Sequence, residues 1–281
     1  MPTPPQPDTH WGSSYRLVAA DKWKAQSAAM GRPLTEALVE YAQPRPGMQV
    51  LDVATGTGEP AISTAERVGP TGHVSALDLS ADLLDIARHR AQQRGLTNIS
   101  FHVGDAQELP FADAQFDLAT SRFGVMFFRD PVRALREVHR VLKPGARTCF
   151  AAWGPFEQPY WQSMMGVVAK HVGGPALPPG GQDPFRFAQP GSLSNALRSA
   201  GFSTIHEETR TVPWFWQGDA EQVWEYSRAV SAPFRALLDR VPQDKWPQIN
   251  HDVLAAIRQY EREDGIDFGA QIVFASGQKS N

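Results

Sequence analysis

Met48-Gln-Val-Leu-Asp-Val-Ala-Thr-Gly-Thr-Gly-Glu-Pro-Ala61 is the stretch that decides the fold. Residues 48–54 are an apolar run with one carboxylate, Asp52, set inside it. Thr55-Gly-Thr-Gly58 ends the run, so a strand feeds a glycine loop. Pro60 suits a first helical turn, because its missing N–H would be unpaired there anyway. The helix is expected to reach about Val68, closed by Gly69-Pro70-Thr71-Gly72. Gly56-Thr-Gly58-Glu-Pro-Ala61 fits G-x-G-x-x-[GA] after a strand: glycines let a ligand approach the backbone, and the helix start offers free N–H donors.

The alternation continues downstream. His73–Asp78 reads as a strand, with Ser80 as N-cap of a helix reaching Arg94 and stopped by Gly95. Ile99–Val103 and Phe116–Thr120 read as the third and fourth strands, and Pro131–Leu142 as a helix. Lys143-Pro144-Gly145 is expected to turn the chain into a fifth strand, Ala146–Ala152. Strands separated by helices of this length imply right-handed βαβ units and a mostly parallel sheet, an α/β fold of Rossmann-like type with helices on both faces. Beyond Trp153 the rhythm changes. Pro155–Pro190 is rich in Pro, Gly and aromatics, then a helix at Ser192–Ala200 and a strand at Thr204–Val212 follow. Asp219–Glu263 reads as helical pieces broken at Pro233, Pro242 and Pro247, and Gln271–Ala275 returns to strand, expected antiparallel as the last in the sheet.

Upstream, Ser14–Ala42 reads as helix, with Leu17, Trp23, Ala28, Leu34, Leu38 and Tyr41 as candidate buried positions. Residues 1–13 are proline-rich, an expected disordered lead-in without a signal-peptide pattern. The domain reading is therefore 14–212 with 268–281 as one Rossmann-like unit, its N-terminal helix a cap, and 213–267 as a helical insertion placed as a lid.

The 281 residues carry a formal net charge of −3, and no stretch is dense in Lys or Arg. The electrostatic footprint of a nucleic-acid binder is missing. No apolar run approaches the ~20 residues of a membrane span. The single Cys149 excludes an intramolecular disulfide and fits a reducing cytoplasm; its apolar surroundings read as a small buried hydrophobe. No His-x-His or His-Glu-x-x-His spacing points to a metal. Whether the chain forms a homo-oligomer is left open.

Asp78 ends the second strand 20 residues after Gly58, where a carboxylate can accept both ribose hydroxyls of an adenosine ligand. That pair does not separate nicotinamide cofactors from other adenosine ligands. Asp52, inside the strand, suits a cationic ligand and opposes a pyrophosphate, or caps nearby backbone N–H groups. Gly104-Asp105-Ala106 follows the third strand, where Asp105 can accept from an adenine amino group or start a turn. Tyr15, Tyr41, Tyr160, Tyr226 and Tyr260 all lack a lysine four residues on, which removes the proton donor of a short-chain dehydrogenase.

At these residues the chain resembles the class I S-adenosylmethionine-dependent methyltransferases, above all the ubiquinone/menaquinone-biosynthesis (UbiE-type) group. The matching stretches are Val50–Pro60, Leu77-Asp-Leu-Ser80, Gly104–Phe111, Phe116-Asp117 and Arg136–Gly145, together spanning about Met48–Trp153. Ala54 stands where the group's Asp-x-Gly-x-Gly-x-Gly has its first glycine. The resemblance implies that Asp52 and the Gly56/Gly58 loop hold the amino-acid part of S-adenosyl-L-methionine, Asp78 the ribose, and Asp105 with Ala106 the adenine. Ala54, Thr55, Leu79, Gly104 and Ser121 complete the implied cofactor set, and S-adenosyl-L-homocysteine is the implied product.

Methyl transfer from a sulfonium needs the acceptor in line behind the methyl group, and alignment alone supplies ~7–11 kcal/mol without a strong base. Ser121–Phe128 and Trp153 should border the methyl group, where Trp and Phe faces attract the sulfonium cation. The expected acceptor pocket comprises Arg122, Phe123, Met126, Trp153, Tyr160, Trp161 and Trp214, apolar enough for a small hydrophobic or aromatic molecule. Ordinary core packing accounts for the same aromatics. Arg122, His171 and His206 are the candidate catalytic groups, while His139, on a pattern that reads as solvent-facing, and His102 are weaker ones. The leading reading is methyl transfer to O or C of a small molecule. The alternatives are a methyltransferase-like fold that binds the cofactor without transfer, or an NAD(P)-dependent oxidoreductase.

Overall fold

In the computed structural model, which describes residues 22–178 and 183–281, the motif stretch lies at the centre of a seven-stranded sheet. Its strands are β1 (Gln49–Val53), β2 (His73–Asp78), β3 (Ile99–Val103), β4 (Phe116–Arg122), β5 (Leu142–Trp153), β6 (Ser203–Val212) and β10 (Ala270–Gln278). The spatial order is β3-β2-β1-β4-β5-β10-β6. Strands β1 to β5 pair in parallel, and β10 runs antiparallel between β5 and β6. This is the expected Rossmann-like arrangement with an antiparallel last strand. Strand β1 is covered on both faces, so Val50, Leu51 and Val53 are all buried, with Asp52 buried between them.

Helices α1 (Lys24–Ala42), α2 (Ala61–Val68), α3 (Ala81–Gln93) and α4 (Pro131–Val141) surround the sheet. Helix α4 shows why they form. Asp130 caps it by accepting from the Arg133 N–H at 3.0 Å, Pro131 occupies the first turn, and Ala134, Leu135, Val138 and Val141 are buried along one face. Ser80 caps α3 through the Leu83 N–H at 3.3 Å, as the sequence indicates. Strand order reverses between β1 and β4, and their C-terminal ends diverge there into a crevice.

The second half adds α5 (Pro159–Trp161), α6 (Val167–Val172), α7 (Ser192–Ser199), α8 (Ala220–Val230), α9 (Arg235–Leu238) and α10 (Trp246–Arg258). Between residues 213 and 267 the chain is not helical throughout. Strands β7 (Phe215–Trp216), β8 (Glu261–Arg262) and β9 (Gly265–Asp267) form a small sheet in the order β7-β9-β8. Pro247 begins α10 rather than breaking a helix, since a first-turn proline forfeits no bond. Pro60 sits at the N-cap of α2, one place before the first turn.

Lys143-Pro144-Gly145 does not turn into β5 but lies inside it, where the pairing with β4 shifts register between Phe116 and Leu118. The chain end supplies the missing partner: Gly145 N–H donates to the Lys279 carbonyl at 2.9 Å. Ala28 is exposed where burial was expected. His139 is half-buried against Phe202, with ring centroids 5.0 Å apart, and not solvent-facing. The lead-in of residues 1–13 and Leu17 lie outside the described residues. Among the described residues no helix is long and apolar enough to cross a membrane.

Candidate active site

At the β1/β4 divergence lies a cleft of about 2740 Å³. Small-molecule pockets run to roughly 300–1,000 Å³, so this one has room for a nucleoside and a second molecule together. One half is walled by the glycine loop and the ends of β2 and β3, the other by aromatics that follow β4 and by those of β5, α5 and the 213–267 segment.

The glycine loop is held by its neighbours. Asp78 accepts from the Gly56 N–H at 2.8 Å with Oδ2 and from the Ser80 N–H at 2.9 Å with Oδ1. Asp78 also lines the cleft. From the other side, Arg90 Nη1 donates to the Thr57 carbonyl at 2.7 Å and to its hydroxyl at 3.1 Å. Gly58 is required for packing: a Cβ there would stand 2.6 Å from Ile62 Cδ1 and 3.1 Å from Ala87 Cβ. Ala54 has φ 57, a left-handed backbone that suits the glycine usual at this place. Its methyl group faces Gly124, where a Cβ would stand only 2.5 Å away.

Asp52 lies beneath the loop with none of its surface exposed. Its Oδ1 accepts from the Thr120 hydroxyl at 2.7 Å, and its Oδ2 is buried without a hydrogen-bond partner. No backbone N–H bonds to it among the described residues, which disfavours the capping role. Burial pushes its carboxyl up to about 7, opposed by the hydroxyls of Thr55 and Thr120 and by the charge of Arg122. Asp105 starts a turn, accepting from the Gln107 N–H at 2.8 Å, and also faces the cleft. The turn reading of this aspartate thus holds, and its side chain borders the cleft as well.

In the other half, Phe123 has φ 64, and its ring stacks on Trp153 at 4.5 Å and 14°. An aromatic residue in the left-handed region costs on the order of 1–3 kcal/mol and persists only where neighbours fix it. Here the Phe123 N–H donates to the Ala151 carbonyl at 2.8 Å. Trp153 in turn meets Trp161 at 5.2 Å and Trp214 at 5.0 Å, both edge to face, and lies parallel to Tyr160 at 6.2 Å. Burial pushes the Tyr160 phenol far above its ordinary value, so it stays neutral.

Ala54, Thr55, Gly56, Asp78, Leu79, Gly104, Asp105 and Ala106 line the cleft, as do Arg122, Phe123, Met126, Trp153, Tyr160, Trp161 and Trp214. Asp52 and Ser121 are fully buried beneath its floor, and Gly58 stands behind the loop. His171 and His206 do not reach it. His171 Nε2 pairs with Asp252 at 2.8 Å, and His206, on the edge strand β6, shares a 3.0 Å bond through Nδ1 with the Tyr41 hydroxyl of α1. His102 points at Phe111, 5.1 Å away. Among the described residues Arg122 meets no surface carboxylate; its Nη1 donates to the Gly31 carbonyl at 3.2 Å and the Thr35 hydroxyl at 2.7 Å on α1. Sequence reasoning missed Arg90 and the Gly31/Thr35 pair, although small residues one helical turn apart are a legible sign of a close approach. Among the described residues no three His, Cys, Asp or Glu gather to hold a metal.

A demethylmenaquinone methyltransferase of Listeria welshimeri is 37% identical to this chain over 126 residues, 45% of this chain and 53% of that one. A 2-phytyl-1,4-naphtoquinone methyltransferase of Nostoc sp. is 38% identical over 147 residues, 49% and 64% of the two chains. The match thus spans about half to two thirds of the length of these relatives. The YcgJ protein of Bacillus subtilis superposes with a TM-score of 0.57 at 21% identity, over 88% of this chain and 98% of that one, which shows the shared fold. A family model described as the ubiE/COQ5 methyltransferase family matches residues 29–173, just over half the chain. The strand, loop and acid series that builds one wall of the cleft falls inside those residues, and the chain belongs to the ubiE/COQ5 methyltransferase family.

Proposed function

We propose that the protein transfers a methyl group from S-adenosyl-L-methionine to a ring carbon or oxygen of a small quinol- or phenol-like molecule. The observation that carries this reading is the continuity of the cleft. It joins the Gly56–Asp78–Asp105 wall, suited to an adenosine ligand, to a stacked aromatic floor headed by Phe123 and Trp153. The names of the two relatives point to quinone acceptors, and the flat aromatic faces suit a flat ring.

The residues present fit the cofactor. Asp52 offers a buried oxygen without a partner, the glycine loop offers its backbone, and Asp78 and Asp105 offer carboxylates at the ends of adjacent strands. The cofactor supplies an electrophilic methyl on a sulfonium cation. The chain supplies the rest. Its aromatic faces favour a cation over the neutral thioether product by ~0.5–2 kcal/mol. They also exclude water and hold the acceptor ring in one plane. Phe123, Met126, Trp153, Tyr160, Trp161 and Trp214 include no imidazole or carboxylate, and Tyr160 is neutral. None of these six is therefore a base, and a readily ionised hydroxyl on the acceptor would favour reaction.

From the 213–267 segment, Trp214, Tyr226, Val230, Ser231 and Pro233 contribute to the wall, which supports reading it as a lid. The buried Cys149, its thiol pushed up to about 11 by burial, is consistent with a reducing cytoplasm. The test is incubation of the chain with S-adenosyl-L-methionine and a panel of reduced naphthoquinones, benzoquinones and phenols. One S-adenosyl-L-homocysteine per methylated product is expected. Tight cofactor binding without product across the panel would replace this reading with cofactor binding alone.

A further inference from the structure

The position of Arg122 carries a step beyond that reading, and rests on it. Asp52 stands opposite Thr120 in the β1–β4 register, and the Thr120 hydroxyl donates to Asp52. Arg122 follows two residues along β4, so its side chain leaves the same face of the sheet. There its Nη1 meets the Gly31 carbonyl and the Thr35 hydroxyl, and a Cβ at Gly31 would stand 3.2 Å from that nitrogen. Both partners are neutral and share one nitrogen, whereas a guanidinium has five N–H donors. Among the described residues no carboxylate is paired with it. Glu59, which attracts it from a distance, is engaged by Arg90 at 3.7 Å and Arg94 at 3.6 Å.

A cation held inward without an anion is costly unless a ligand supplies one. Burial pushes the Arg122 guanidinium below its ordinary value, and of the charged groups acting on it Glu59, Asp52 and Arg90 belong to the glycine-loop side, while Tyr226 contributes least. The anion is therefore expected at the loop end of the cleft, not among the aromatics. Asp52 presents the matching deficit, a buried oxygen without a donor, on the same face. We propose that Arg122 and Asp52 form a clamp for a zwitterion, the guanidinium, which lines the cleft, receiving the α-carboxylate of the cofactor's amino-acid end and the charge of Asp52, buried beneath the floor, favouring its α-ammonium. The resemblance assigns only Asp52 to that end; Arg122 supplies the opposite charge and ties helix α1 to it through Thr35.

Calorimetric titration of the full chain with S-adenosyl-L-homocysteine and with 5′-methylthioadenosine tests this, since the second ligand keeps the adenosine and thioether but lacks the amino acid. Arg122→Met should weaken S-adenosyl-L-homocysteine by about 10–100-fold and leave 5′-methylthioadenosine within about threefold. Arg122→Lys should recover part of the loss. Thr35→Val, which keeps the charge and removes the shorter of its two tethers, should weaken S-adenosyl-L-homocysteine alone by a smaller factor, and serves if Arg122→Met does not fold. Unchanged S-adenosyl-L-homocysteine affinity, or equal weakening of both ligands, would overturn the clamp. A wild-type chain that binds neither ligand would overturn the cofactor reading itself.

Discussion

The Gly56 N–H points into the Asp78 carboxylate at 2.8 Å, so the residue read as a ribose acceptor also fixes the loop that precedes it by 22 positions. The bond joins the end of β2 to the turn after β1 across a pair of adjacent parallel strands. Loop shape and the proposed cofactor contact would thereby be coupled through one side chain.

Asp78→Ala removes two backbone partners and the charged acceptor together. The expected result is a loss of S-adenosyl-L-homocysteine affinity of about 10–100-fold or more, from bonds to a charged group of roughly 1.5–3 kcal/mol each. Asp78→Asn should do little better, because its amide N–H₂ would face either the Gly56 or the Ser80 N–H. Calorimetry showing less than about a threefold loss in a folded Asn variant would separate loop support from ligand contact.

Asp52 sets stability against binding. Its carboxyl is raised to about 7 in the folded chain, from 3.8. A group raised in this way contributes its full stability below the unfolded value and loses it as pH rises through the folded one. The wild type should therefore lose stability between about pH 4 and 7 from this site, with Arg122 and Glu59 as the charged groups acting on it. Asp52→Asn does not titrate, so its advantage in chemical denaturation should grow over that window, on the order of a few kcal/mol, and level off above it. Its S-adenosyl-L-homocysteine affinity should fall meanwhile. A stability difference that is flat with pH would show that Asp52 is ionised throughout.

Ala54 and Gly124 form a matched pair, the methyl of one occupying the space that the other leaves. Gly124→Ala should destabilise the fold by about 1–3 kcal/mol, since the new Cβ would stand 2.5 Å from both Ala54 Cβ and Ser121 Oγ. Ala54→Gly relieves a left-handed alanine but empties that contact, so alone it should change little. Combined, the two should recover part of the loss, because the Ser121 contact persists. Strict additivity in a double-mutant cycle would disprove the coupling.

The sheet was legible because its central strands are apolar runs closed by glycine or a capping residue, as Gln49–Val53 and His73–Asp78 are. The wall proposed for the cofactor was legible because its carboxylates sit at strand ends, and strand direction fixes where those ends lie. What depended on distant partners was not. Lys143-Pro144-Gly145 carries every local sign of a turn, but its strand geometry is fixed by Gln278 and Lys279, more than 130 residues away. Strands of two or three residues, such as Phe215–Trp216, leave no periodicity to read. His171 and His206 were drawn in by their position along the chain, whereas the direction of a side chain is set by the packing around it.

The segment 213–267 should move. Helix α10 is tied to α6 by the His171–Asp252 pair, and Glu225 of α8 meets Lys22, yet these are part-exposed contacts worth little individually. Substrate must enter past Trp214 and Tyr226, and water must leave before transfer. Hydrogen exchange should therefore find α8 to α10 poorly protected in the free chain and better protected with S-adenosyl-L-homocysteine, with β1, β4 and β5 protected in both states. His171→Ala should raise exchange in α10 further without altering β1. Protection of α8 to α10 equal to that of the central strands, and unchanged by ligand, would make this segment a fixed wall.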